Sequence, residues 1–121
     1  MPDYIVIEDL LVRAILGINP EERVNRQDVV INVRLEACTR AAALSDNIDD
    51  AVNYRTLSKE IIQLAETSGF MLVEKMAEEI AGLCLRREKV QRVWIDVRKP
   101  GALRFARSVG VSIERSREDG N

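Results

Sequence analysis

An α+β fold, with an antiparallel sheet backed by two helices, is what this sequence predicts. Three observations lead there. Apolar and polar residues alternate with period two in several segments, two intervening stretches space apolar residues as a helix does, and the order reads strand, strand, helix, helix, strand, strand. The length of 121 residues suits one domain, residues 1–121, since domains commonly run from about 50 to 250 residues.

Tyr4 to Leu16 is rich in Ile, Val and Leu, is interrupted by Glu8-Asp9 and stops at Gly17; its β-branched content predicts a strand. Asn19-Pro20-Glu21-Glu22-Arg23 is turn-prone and reads as a loop or one helical turn with proline at its first position. Val29, Ile31, Val33, Leu35 and Ala37 then alternate with Val30, Asn32, Arg34 and Glu36, which predicts a strand with one buried and one wetter face. Ser45 to Asp50 is a polar, acidic connector. Asn53 is the expected N-cap of a helix carrying Leu57, Ile61, Leu64 and Ala65, and Gly69 ends it. A second helix from Met71 or Leu72 presents Val73, Met76, Ala77, Ile80, Ala81, Leu83 and Cys84. That face is too broad for one stripe, so the helix is expected to pack on two sides. Alternation returns at Val93, Ile95 and Val97 and again at Val109, Val111 and Ile113; the tail from Ser116 is polar and expected to fray. The apolar surface exceeds what one sheet and two helices cover, which predicts a homo-oligomer.

Composition narrows the function. Lys and Arg number 18 against 20 Asp and Glu, a net charge of −2, and the two signs are mixed along the chain. A nucleic-acid or anionic-lipid binder would gather its cations into a stripe, so neither partner is expected. The start Met1-Pro2-Asp3 shows no secretory leader, and no apolar run reaches the roughly 18 residues of a membrane span, so a cytosolic protein is expected. Cys38 and Cys84 lie in apolar patterned segments and read as buried, reduced thiols. Histidine is absent, which removes the commonest metal ligand and general base. No metal site is expected, and any catalysis must run on Glu, Asp, Lys, Tyr or Ser.

Four polar residues stand beside structural punctuation. Glu22 lies in the loop five residues after Gly17, Tyr54 opens the first helix behind its cap, Glu74 falls in the first turn of the second, and Lys99 ends the third strand ahead of Pro100-Gly101. Singly, each is an ordinary surface or packing residue. Together and in order, Gly17-Ile18-Asn19-Pro20-Glu21-Glu22, Val52-Asn53-Tyr54, Phe70-Met71-Leu72-Val73-Glu74-Lys75, Lys99-Pro100-Gly101-Ala102 and Val109-Gly110-Val111-Ser112-Ile113-Glu114-Arg115 resemble the dihydroneopterin aldolase family, which includes dihydroneopterin triphosphate 2′-epimerases. The resemblance runs from about Ile5 to Arg115.

The resemblance implies a tunnelling fold, a four-stranded antiparallel sheet with two helices on one face. It also implies edge-to-edge rings stacked in pairs, commonly octamers, with sites between subunits. It makes Glu74 the pterin anchor, Lys99 and Glu22 the proton-handling groups and Tyr54 a contribution across the interface, with backbone near Val52 and Val73 completing the pocket. The chemistry fits these side chains. A carboxylate at Glu74 accepts both adjacent N–H donors of an aminopyrimidinone edge. Retro-aldol cleavage of 7,8-dihydroneopterin deprotonates the 2′-hydroxyl and breaks C1′–C2′, and the C6=N5 imine of the reduced pterin takes the electrons that a Schiff-base lysine takes elsewhere. No cofactor is implied. Lys99 either acts as the base, which requires a depressed pKa, or stays charged and polarises a water. The products expected are 6-hydroxymethyl-7,8-dihydropterin and glycolaldehyde.

Two alternatives remain open at this level. Asn25-Arg26-Gln27-Asp28-Val29-Val30-Ile31-Asn32, Asn53-Tyr54-Arg55-Thr56 and Ala102-Leu103-Arg104-Phe105-Ala106 look like the epimerases, whereas Lys99-Pro100-Gly101 and Val109-Gly110-Val111 look like bacterial aldolases. Arg26, Arg104 or Arg107 would attract a triphosphate tail, though arginines at strand ends are ordinarily surface charges. A non-catalytic pterin-binding oligomer would keep Glu74 and lose the proton-handling groups, which are present here. Spacing from Gly17 favours Glu22 over Glu21 as the ligand-facing carboxylate.

Overall fold

The computed structural model describes residues 2–119. Four strands, β1 (Tyr4–Ala14), β2 (Gln27–Ala37), β3 (Val90–Pro100) and β4 (Ser108–Ser116), form one sheet in the order β1-β2-β3-β4, each antiparallel to its neighbour. Two long helices, α3 (Tyr54–Ser68) and α4 (Val73–Leu85), lie between β2 and β3 in sequence. The short helices α1 (Pro20–Val24) and α2 (Arg40–Ser45) follow β1 and β2. The predicted β-β-α-α-β-β order is therefore the frame of the molecule, with two short helices added. Among the described residues no helix is long and apolar enough to cross a membrane.

Alternation sets the two faces of the sheet. Val29, Ile31, Val33, Leu35 and Ala37 of β2 and Val93, Ile95 and Val97 of β3 are buried in the same core as Leu57, Ile61 and Ala65 of α3 and Met76, Ala77, Ile80, Ala81 and Cys84 of α4. Burying a Leu or Ile side chain such as Leu57 or Ile61 contributes about 1.5–3 kcal/mol, so this core dominates folding. Helix α3 lies across β1, while α4 packs on β3, β4 and α3, which accounts for its wide apolar face. On the other side of the sheet the Arg34 guanidinium stacks 4.3 Å from the Trp94 ring centre and 5.0 Å from that of Tyr4.

Local chemistry sets the boundaries. The Asn53 side chain accepts the Thr56 N–H at 3.1 Å and starts α3, and Gly69, at φ 63°, ends it in the left-handed region open to glycine. The Glu8-Asp9 interruption is a shift in the β1–β2 register between Ile7 and Leu10. Asp9 sits there at φ 54°, and its N–H and carboxylate both bond the Asn32 side chain.

Several expectations need correction. Strand β1 ends at Ala14 rather than Leu16, because its ladder stops where Ala14 pairs Gln27 and the chain turns toward α1; Leu16 is buried outside the ladder. Helix α2 was not predicted: it has six residues and buries none of them, so it leaves no apolar periodicity to read. The connector from Ser45 to Asp50 begins with the last residue of α2 and ends in a 3-10 turn at Ile48–Asp50, capped by Asn47. Cys84 is buried as expected, and burial pushes its thiol up to about 12, but Cys38 lies one residue beyond β2 and is exposed; both are free thiols. The tail expected to fray from Ser116 instead keeps Ser116 buried at the end of β4 and winds Arg117–Asp119 into a 3-10 turn; the remainder of that tail lies outside the described residues.

Candidate active site

At one end of the sheet, α1 turns the chain from β1 into β2 beside the end of β3. Pro20 occupies the first turn of α1, where its missing N–H costs nothing, and the third residue of that turn is Glu22. Its carboxylate folds back on the helix start: Oε1 accepts the Asn19 N–H at 3.3 Å. Oε2 accepts Lys99 Nζ at 3.0 Å and Gln27 Nε2 at 3.2 Å. Gly17 is required for this arrangement. Its φ of 134° is one that L side chains rarely adopt, and a Cβ there would overlap the Glu22 carboxylate.

The pair formed by Glu22 and Lys99 is largely enclosed, with side-chain exposures of 19% and 14%. Burial pushes the Glu22 carboxyl up, but the hydrogen bonds from Lys99, Gln27 and Asn19 and the Lys99 charge outweigh it and hold the group below its ordinary value. Glu22 is therefore a carboxylate at neutral pH. Lys99 reaches it because the β3 ladder persists to Pro100 opposite Ser108, on the same side of the strand as the buried Val97. Glu21, the other candidate, is exposed and does not meet Lys99.

The start of α4 adjoins this pair. Gly17 N–H donates to Phe70 O at 3.2 Å, which ties the loop before α1 to the turn between α3 and α4. Val73 and Glu74 are the first two residues of α4, half-buried and exposed respectively; backbone N–H groups in a first helical turn have no intrahelical partner, and the helix dipole favours an anion there. Glu74 is thus exposed in the first turn of α4, four residues after the Phe70 carbonyl that the Gly17 N–H ties to the loop before α1.

Tyr54 and Val52 lie elsewhere. Lys89, just before β3, bonds the Asp49 and Ala51 carbonyls at 2.7 and 3.4 Å and so fixes the segment leading to Val52 at the opposite end of the sheet from Lys99. Helix α3 then runs back for 15 residues, about 22 Å at roughly 1.5 Å per residue, from Tyr54 to the Gly69 turn beside the pair. Within one chain Tyr54, 61% exposed, is therefore at the wrong end to meet Lys99. It borders a separate open groove with Val52, Asn53, Asn47 and Ala42.

Comparison with known proteins shows the family. The family model described as FolB, dihydroneopterin aldolase, matches residues 5–114. The chain belongs to the dihydroneopterin aldolase family. A dihydroneopterin triphosphate 2′-epimerase of Pseudomonas aeruginosa is 39% identical over 88% of this chain and 87% of its own. A folic acid synthesis protein of Dictyostelium discoideum is 39% identical over 94% of this chain, which spans only 17% of that longer relative. The Escherichia coli dihydroneopterin aldolase, solved in complex with neopterin, superposes with a TM-score of 0.90 at 36% identity over 94% of this chain and 99% of its own. The tunnelling fold expected from the resemblance is thereby shown.

Two residues that bond the parts of this corner together are not singled out by sequence pattern. Gln27 left a faint signal, a polar residue in phase with the buried Val29 and Ile31. Arg23 left none, because its partners at Gly69 and Phe70 lie 46 and 47 residues away.

Proposed function

We propose that this chain cleaves the C1′–C2′ bond of 7,8-dihydroneopterin, releasing 6-hydroxymethyl-7,8-dihydropterin and glycolaldehyde. The observation that carries the reading is the 3.0 Å contact of Lys99 Nζ with Glu22 Oε2 in an enclosed corner adjoining the start of α4. In this reading Glu74 anchors the aminopyrimidinone edge through two charge-assisted hydrogen bonds, with Val73 backbone beside it. The 2′-hydroxyl proton passes to the Glu22–Lys99 pair, the C1′–C2′ electrons move into the C6=N5 imine, and C1′ then takes a proton with help from Tyr54. The pterin serves as its own electron sink, so the reaction needs no cofactor. The neopterin held by the Escherichia coli relative supports the substrate class.

Tyr54 and Val52 join the site only from a second copy in this reading, and we assign the chain to a homo-oligomer, an octamer of two stacked rings, acting in the cytosol as one domain. Two features support the assembly. Strands β1 and β4 are open sheet edges that a neighbouring copy can pair. Exposed apolar side chains flank both ends of the subunit, Ile18, Met71 and Leu72 by the pair and Leu44, Ile48 and Tyr54 at the other.

Epimerisation at C2′ is the second reading, favoured by the 39% identity to the Pseudomonas aeruginosa epimerase. It uses the same bond breakage followed by reformation. The test is to incubate the protein with 7,8-dihydroneopterin and separately with its triphosphate, and to resolve products beside Lys99→Ala. Glycolaldehyde from the free pterin, lowered by at least ~100-fold in the variant, is expected from general acid–base catalysis. Inverted triphosphate with little cleavage would move the assignment to epimerase, and no turnover of either would overturn both.

A further inference from the structure

Arg23 follows Glu22 on α1, and its guanidinium bonds backbone carbonyls of the loop before α1 and of the turn between α3 and α4. Nη1 donates to Gly17 O at 2.9 Å and to Phe70 O at 3.3 Å, and Nη2 donates to Gly69 O at 2.8 Å. Phe70 O also receives the Gly17 N–H at 3.2 Å. Gly69 is the left-handed residue that closes α3, so the Gly69 and Phe70 carbonyls stand at the negative end of that helix, where a cation is favoured. The side chain is half-buried, and its planar fork spans two chain segments in a way a lysine ammonium cannot reproduce.

The two halves of the site lie on either side of this bridge. Glu22 precedes Arg23 by one residue, and Glu74 follows Phe70 by four, with one residue of turn and the helix start between. We propose that Arg23 is a positioning residue: it sets the separation of the Glu22–Lys99 pair from the Glu74 carboxylate and the α4 N-terminus, without itself touching substrate. The proposal rests on the assignment of Glu74 to pterin binding and of Glu22 and Lys99 to proton handling.

The expected consequence is a split between binding and turnover. Each half keeps its own internal bonds when Arg23 is removed, so pterin still binds at Glu74, but the reacting side chain no longer lies against the pair. A misplacement of about 1 Å can cost roughly 100-fold in rate.

The experiment compares wild type, Arg23→Met and Arg23→Lys by kcat for 7,8-dihydroneopterin, by Kd for the oxidised analogue neopterin, and by thermal unfolding. Both variants are expected to lose about 10- to 100-fold in kcat with Kd changed less than about threefold. Arg23→Lys, which keeps the charge at the end of α3, is expected to recover thermal stability but not kcat. A purely structural Arg23 would leave kcat and Kd at wild-type values in the folded variants while lowering the unfolding temperature, and that result overturns the proposal. Wild-type protein that turns over no pterin would instead overturn the functional reading beneath it.

Discussion

Glu22 is the residue at which backbone geometry, charge and chemistry meet. Its carboxylate is close enough to Gly17 that no side chain fits there, and three donors from Asn19, Gln27 and Lys99 hold it ionised. Because the folded state lowers its pKa from the usual 4.5, ionised Glu22 contributes stability that is fully present above the unfolded value and is lost as pH falls through the lower, folded value. Replacing it by glutamine should therefore open a stability gap from wild type that stays constant from pH 8 to about 5 and narrows on further acidification. Urea unfolding of both proteins across that range measures the gap. One that widened on acidification would contradict the assigned ion pair. The sequence placed Glu22 and Lys99 at suggestive points but not together: 77 residues separate them, and only the antiparallel pairing that sets the end of β3 beside the start of β2 closes that distance.

At the scale of elements, α3 determines which features face which end of the subunit. Its N-cap at Asn53 and its stop at Gly69 were both legible, since capping depends on neighbours a few residues away. Replacing Asn53 with alanine is expected to cost about 1 kcal/mol in denaturant unfolding, and no loss would mean that the cap hydrogen bond to Thr56 is solvent-equivalent. Strands β2, β3 and β4 were legible for a similar reason: β2 and β3 bury one face and β4 half-buries Val109, Val111 and Ile113, and period-two alternation reports that directly. What failed had no such signature. Helix α2 buries nothing, Cys38 escapes burial by a single position beyond β2, and Ser116 is buried by β3 pairing and contacts distant in sequence. Arg23 belongs with these, since two of the three carbonyls that it bonds come from the distant turn between α3 and α4.

For the molecule as a whole, the consequential fact is that one subunit carries the four proposed site residues at its two ends. Glu22, Lys99 and Glu74 gather where α1, the end of β3 and the start of α4 converge, whereas Tyr54 stands at the far end of α3. A chain that uses all four residues in one reaction must place one end against the opposite end of a second copy, and head-to-tail contacts of that kind close into rings. Mixing subunits tests this most directly. Lys99→Ala and Tyr54→Ala proteins, each impaired in cleaving 7,8-dihydroneopterin, are unfolded together in equal amounts, refolded and assayed. If each site takes Lys99 from one copy and Tyr54 from its neighbour, about one quarter of the sites regain both residues, and activity should rise to roughly that fraction of wild type. A mixture that assembles but remains as inactive as its parents would contradict the account.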